Sequence, residues 1–198
     1  MTRIGVFAYG SLVNATSAGR TLDRELPTPR PARLPGWRRR WTLVRDNLRS
    51  EKTFAIEPGG RVPQWVLGLN IEPCPDRDEA GRTEAPNGAL LELSEAELAR
   101  LDLREMRYDR VEVTARVAGA DGFDLVVAYK AKDRHHAPEP PPGAVVLAPY
   151  LRAVEEAFAA LGEAELEAYR RTTPLPVADL VEAVLVRDRI PPGNPRAW

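Results

Sequence analysis

The chain opens on an apolar run, Ile4, Val6, Phe7 and Ala8, that breaks at Tyr9-Gly10-Ser11. The run suits a strand buried on most sides, with a sharp turn at its end. Gly10 has no Cβ, so the backbone there can turn or come close to a ligand. A buried strand running into such a turn leaves N–H groups without ladder partners, and these can form a nest for a carboxylate or a developing oxyanion. Most strand–Gly–Ser junctions are nonetheless only turns.

Further strands follow from aromatic and β-branched content and from alternation. Trp37 to Val44 is one, with Trp37, Arg39, Trp41 and Leu43 on one face and Arg38, Arg40, Thr42 and Val44 on the other. Arg38 to Arg40 then reads as a solvated edge. Thr53 to Ile56, Gln64 to Ile71 and Gly88 to Leu93 are strands, and Tyr108 to Val117 pairs as a hairpin with Phe123 to Ala131 across the Gly119–Gly122 turn.

Helical spacing marks four segments. A short helix fits within Val13 to Arg24, and Ser94 with Glu97 makes a capping box for a helix over Glu95 to Glu105. Ala148 to Leu161 turns Leu151, Val154, Phe158 and Leu161 inward, and Glu163 to Arg171 is the next helix. Val177 to Val186 is apolar and fits a helix or a strand. Leu26 to Pro35 and Pro138 to Gly143 hold four prolines each, which excludes a helix interior. Cys74 to Asn87 reads as an exposed, charged insertion, and Ile190 to Trp198 as irregular.

Composition narrows the function classes. A length of 198 residues fits one domain over 1–198, with 172–198 as a C-terminal extension. A net charge of −1 gives no general attraction to nucleic acid, and no basic, aromatic-interleaved surface surrounds Arg38 to Arg40. The single cysteine, Cys74, forms no internal disulfide and favours a reducing compartment. With no signal peptide and no apolar run near ~18 residues, the expected address is the cytoplasm, with no membrane partner. His135 and His136 are adjacent and are the only histidines, so no metal site is expected. Ser11 lacks the Gly-x-Ser-x-Gly context of a hydrolase nucleophile, and phosphate-binding glycine fingerprints are missing.

Glu105 is the candidate for chemistry. Leu98, Leu101 and Glu105 stand at i, i+3 and i+7, which on one continuous helix turns the carboxyl toward the core and raises its pKa toward a range useful for proton transfer. Alternatively the helix ends near Leu103, and Glu105 pairs on the surface with Arg104, Arg107 or Arg110. Periodicity leaves both placements open.

Two segments together resemble the γ-glutamylcyclotransferases. Phe7-Ala8-Tyr9-Gly10-Ser11-Leu12 resembles that family's Y-G-S-N/L signature at the end of its first strand. Leu101-Asp102-Leu103-Arg104-Glu105, with Tyr108 and Arg110 after it, resembles its L-D-x-x-E signature. Pro149-Tyr150-Leu151 is similar to the start of the family's C-terminal helix, and Leu34 to Trp41 to the arginine-rich second strand of the glutathione-degrading branch. These short matches are spread in order through most of residues 3–171.

The resemblance implies an α+β fold: a small, mixed, closed or nearly closed β-barrel with flanking helices. It also implies a reaction. The α-amine of a small γ-glutamyl compound attacks its own side-chain carbonyl, releasing 5-oxoproline and an amine, amino acid or peptide. Glu105 would carry the proton, while Tyr9, Gly10, Ser11, Leu12 and Tyr150 would bind substrate, with no cofactor and no metal. A non-catalytic ligand-binding protein of the same fold is the alternative. Leu12 matches the glutathione-degrading branch, whereas the 74–87 insertion is longer than the family leads one to expect, and the segment after Arg171 has no counterpart.

Overall fold

The computed structural model describes residues 2–74 and 84–196. Strand β1 (Ile4–Ala8) is central in a five-stranded sheet, which explains why all five of its residues are buried. It runs antiparallel to β6 (Asn87–Leu93) and parallel to β8 (Leu125–Ala131). The edges are β2 (Arg30–Arg33), beside β6, and β7 (Tyr108–Glu112), beside β8. Close approach of β6 to β1 depends on Gly88, where a Cβ would run into the Ala8 carbonyl oxygen.

A second sheet has four strands. β3 (Trp37–Asp46) pairs with β5 (Trp65–Pro73), β5 with β9 (Val145–Leu147), and β9 with β10 (Asp179–Val181). β4 (Lys52–Ile56) and β11 (Ala183–Asp188) form a separate antiparallel pair. Four α-helices pack around the sheets: α1 (Ala15–Leu22), α2 (Glu95–Arg104), α3 (Ala148–Leu161) and α4 (Glu163–Thr172). The main hydrophobic core runs between the sheets and under α3 and α4, and includes Phe7, Leu69, Ile71, Leu101, Val154 and Phe158; a smaller cluster gathers Val66, Val145, Leu147 and Ala183.

The fold is therefore mixed α+β, but among the described residues no sheet closes on itself, and the expected barrel is replaced by open sheets. The reason lies between β5 and β8. Side-chain bonds, not a ladder, bridge this seam: Ala131 N–H of β8 donates to Asn70 Oδ1 at 2.8 Å, and Tyr108 Oη, from the neighbouring β7, donates to the Leu69 carbonyl at 2.8 Å.

Several local expectations also change. Pro31 lies within β2, which is tolerated because β2 is an edge strand. A register shift between Arg40 and Leu43 breaks the alternation of β3, so Val44, and not Leu43, joins Trp41 in the main core. Arg39 is no solvated edge: it is 0% exposed. Its guanidinium lies against the stacked Phe158 and Tyr169 rings, 5.1 and 4.8 Å from their centroids, and donates to Thr173 Oγ1 at 2.8 Å and to the Asn87 carbonyl. The β7 strand stops at Glu112, where a 3₁₀ turn over Thr114–Arg116 takes over. The apolar stretch 177–186 resolves into β10 and β11. Most of the 74–87 insertion, residues 75–83, lies outside the described residues. No helix among the described residues is long and apolar enough to cross a membrane.

Candidate active site

The end of β1 and the end of α2 meet at one cavity. After Ala8 the chain turns into a 3₁₀ turn over Ser11–Val13, then into α1 through Asn14, whose side chain caps Ser17 N–H at 2.9 Å. Such a turn begins with N–H groups that have no acceptor within it. Gly10 lets the turn pack closely, since a Cβ there would lie 3.3 Å from Tyr150 Oη.

α2 starts at the predicted capping box, with Ser94 N–H donating to Glu97 Oε2 at 2.8 Å and Ser94 Oγ accepting from Glu97 N–H at 3.3 Å. It stops at Arg104, and Glu105 is its C-cap, its N–H bonded to the Leu101 carbonyl. Both placements foreseen for Glu105 are thus realised in part. The helix does end early and Glu105 does pair with Arg104, but inside the protein: its side chain is 14% exposed and that of Arg104 1%.

The cavity is narrow, about 30 Å³, and its lining includes Tyr9, Gly10, Ser11, Leu12, Glu105 and Tyr150, together with Leu69, Tyr108, Tyr129 and the end of β1 at Phe7 and Ala8. Every residue singled out from the sequence as a site residue lines it. They do not offer the same groups. The Tyr9 hydroxyl is spent on the Tyr129 carbonyl, so Tyr9 presents its ring and main chain. Leu12 is buried in the core as well. Tyr150 stands edge-on to Trp41, their centroids 6.0 Å apart.

Arg104 fixes the relation between the carboxyl and the turn. Its Nε lies 3.2 Å from Glu105 Oε1, and its Nη2 donates to Ser11 Oγ at 3.3 Å and to Ser17 Oγ at 3.1 Å. Its Nη1 holds the Ser17 carbonyl and Thr21 Oγ1, each at 2.9 Å. Burial pushes the Glu105 carboxyl above the ordinary carboxylate range, against the pull of Arg104 and Arg107. Burial also pushes the Tyr9, Tyr108 and Tyr150 hydroxyls up, assisted by the Glu105 charge, so these groups stay protonated. The result is one carboxyl of raised pKa, facing neutral hydroxyls and a backbone turn in a site just large enough for a small polar group.

The fold that carries this site has a counterpart among solved structures. A protein titled gamma-glutamyl cyclotransferase superposes with a TM-score of 0.52 at 16% identity, over 87% of this chain and 89% of that one. The chain has the γ-glutamyl cyclotransferase fold. Two solution structures from Arabidopsis thaliana also match, at 22% identity and TM-score 0.40 (86% of this chain, 82% of the other), and at 20% and 0.44 (88% and 97%). No family model and no curated protein sequence matches the chain.

Within this fold, Arg104, Tyr129 and Leu69 are cavity or positioning residues that the sequence did not single out. Arg104 sits inside the matched motif, yet its partners on α1 are long-range and leave no trace in local spacing. Tyr129 donates to Asp102 Oδ1 at 2.7 Å, tying β8 to α2 behind the cavity. Arg110, which follows the motif, lies outside the cavity and pairs with Asp102 at 3.3 Å. The C-terminal segment supplies a wall of the adjoining groove through Ala183, Ile190 and Arg196.

Proposed function

We propose that the protein is a γ-glutamylcyclotransferase-type enzyme, acting on a small γ-glutamyl compound with Glu105 as its proton carrier. The supporting observation is that a largely buried carboxyl of raised pKa shares one narrow cavity with the Tyr9–Leu12 turn. The fold likeness points the same way.

The α-amine attacks in its neutral –NH2 form, and its nitrogen must shed one of those two protons as it bonds to carbon. Glu105, as carboxylate, accepts it while the amine nitrogen bonds to the γ-carbonyl carbon and the carbonyl π electrons move onto oxygen. The ring is then closed and the oxygen carries the charge. When the carbonyl re-forms, the amide C–N bond breaks, and Glu105 returns the proton to the departing nitrogen. The products are 5-oxoproline and the free amine, with no net change at the enzyme. A raised carboxyl pKa narrows the gap to the substrate amine and makes both transfers less uphill; such catalysis is worth about 10²–10⁴ in rate.

Because nucleophile and carbonyl belong to one molecule, the remaining task is to hold the folded conformer. N–H groups at the start of the Ser11 turn suit the developing oxyanion. Tyr150, kept protonated, can donate to the glutamyl carboxylate. The test is 5-oxoproline release, followed by mass spectrometry, from γ-glutamyl amino acids, glutathione and γ-glutamyl-ε-lysine, with Glu105→Gln as control. Release that depends on Glu105 is expected. Equal release by the variant would overturn the mechanism, and no release from any compound would leave a ligand-binding protein of this fold.

A further inference from the structure

The narrow cavity opens into a groove of about 400 Å³ that shares Ser11, Glu105, Tyr108 and Tyr150 with it. That volume is in the range of pockets that enclose whole small molecules. It is far more than ammonia or a short amine would need. Apolar side chains such as Leu43, Phe54, Val66, Leu67 and Leu147 make its walls.

Charge is unevenly placed in this groove. Glu51 lies between two guanidiniums, 2.7 Å from Arg107 and 2.8 Å from Arg196. Arg45, on β3, is a third cation beside them and also lines the groove. Its Nη2 donates to Asn47 Oδ1 at 3.2 Å and its guanidinium lies 5.1 Å from the Phe54 ring centroid, while its buried Nε has no acceptor. Among the described residues no carboxylate forms a salt bridge with Arg45. Burial, and then the nearby Arg107, pull its pKa down to about 10. Three guanidiniums around one carboxylate leave two positive charges in a partly apolar site, where charge is costly unless it is paired.

We propose that this groove takes the leaving half of the γ-glutamyl substrate, and that this half is a dianion whose negative charges are received at Arg45 and its neighbouring guanidiniums. The inference rests on the cyclotransferase reading above and deepens it. A leaving half with two carboxylates, or one with a phosphate monoester as its only acid, meets the charge. Its carbon skeleton would lie on the Leu43–Leu67 wall, with its nitrogen toward Glu105. Cationic and neutral amines are disfavoured because they leave the guanidiniums unmatched.

The test is a charge series joined through the amine nitrogen, the α-nitrogen in each amino acid: γ-glutamyl-glutamate, γ-glutamyl-phosphoethanolamine, γ-glutamyl-leucine and γ-glutamyl-lysine. Wild-type enzyme is assayed for 5-oxoproline, and Arg45→Met and Arg45→Lys are compared with it. One of the dianions is expected to be preferred over the leucine compound by about tenfold or more in kcat/KM, the scale of one charged hydrogen bond. Which dianion leads separates dicarboxylate from phosphate. In Arg45→Met the ratio should fall toward unity, and Arg45→Lys should restore part of it. Since each ratio is taken within one protein, loss of folded enzyme does not move it.

Equal kcat/KM across the series, or a ratio unchanged in Arg45→Met, would overturn the proposal. Calorimetric binding of the same compounds to Glu105→Gln separates the two levels. Selective dianion binding without turnover by the wild type would sink the cyclotransferase reading, and the leaving-group role with it, while the anion site stands. Turnover without selectivity would sink the anion site alone.

Discussion

Arg104 and Glu105 are chain neighbours whose side chains meet inside the protein, Nε to Oε1 at 3.2 Å. Successive residues on a continuous helix point about 100° apart. The end of α2 at Arg104 frees Glu105 from that geometry and lets both side chains turn to the same groove.

Glu105→Gln keeps the shape of the side chain and removes its basicity. Turnover should fall by about 10²–10⁴ if Glu105 is the proton carrier, with ligand binding retained. Single-turnover 5-oxoproline release alongside calorimetric binding checks this. Loss of both together would point to a structural role.

The acid limb of kcat/KM should lie above the ordinary glutamate value of 4.5, since burial holds the Glu105 carboxyl up. Activity rises with pH as the carboxylate forms. Stability moves the other way for this group. Between 4.5 and its raised pKa the folded state binds more proton than the unfolded one, so the Glu105 contribution is full below 4.5 and is lost as pH rises through the folded value. Denaturant titrations against pH, wild type beside Glu105→Gln, isolate that slope.

Arg104→Met should move the acid limb further up, because it removes the cation that opposes burial at Glu105. It also strips partners from Ser11, Ser17 and Thr21, so a stability loss of about 3–5 kcal/mol is expected, the cost of breaking a buried ion pair. The pH profile is the diagnostic measurement: a purely structural arginine would lower the amount of active enzyme without moving the limb.

Gly10→Ala places a methyl group 3.3 Å from Tyr150 Oη, a contact that one of the two must relieve. The expected outcome is a fall in kcat larger than the fall in thermal stability, because the adjustment is made at the cavity. A thermal melt and a kcat measurement on the same preparation decide it.

Arg39→Met should cost about 1–3 kcal/mol, since it leaves Thr173 Oγ1 and the Asn87 carbonyl without their buried donor. Arg39→Lys should do no better, as an ammonium cannot keep both the contact with the Phe158 and Tyr169 rings and the forked donation. Chemical denaturation of the two variants gives the comparison.

These residues also show what the sequence could reveal. Local rules found the helix starts, because a capping box or a proline acts within four residues, and Ser94 and Glu97 make the bonds their spacing implies. Spacing and turn chemistry raised Glu105 and the Tyr9–Ser11 turn as candidates, but only their likeness to known motifs tied them to each other and to Leu12 and Tyr150. Arg39 was misjudged because its neighbours, Arg38 and Arg40, are an exposed and a half-buried cation of the same type; what separates them is a pair of aromatic rings more than a hundred residues away. The barrel expectation failed at the β5–β8 seam, where Asn70 and Tyr108 side chains take bonds that a ladder would have made. The bulge in β3 left no local signal, so strict alternation misplaced Leu43 and Val44.

The tail has a consequence for synthesis. Ile190 and Arg196 wall the groove, and the Pro195 carbonyl accepts from Thr21 Oγ1 at 3.1 Å, the same hydroxyl that Arg104 grips. All the residues of the narrow cavity lie at or before Tyr150, and so leave the ribosome earlier. The nascent chain can thus assemble the Glu105 cavity while the groove beside it is still open. Only when residues 183–196 have emerged and laid Arg196 against Glu51 is the wider chamber complete.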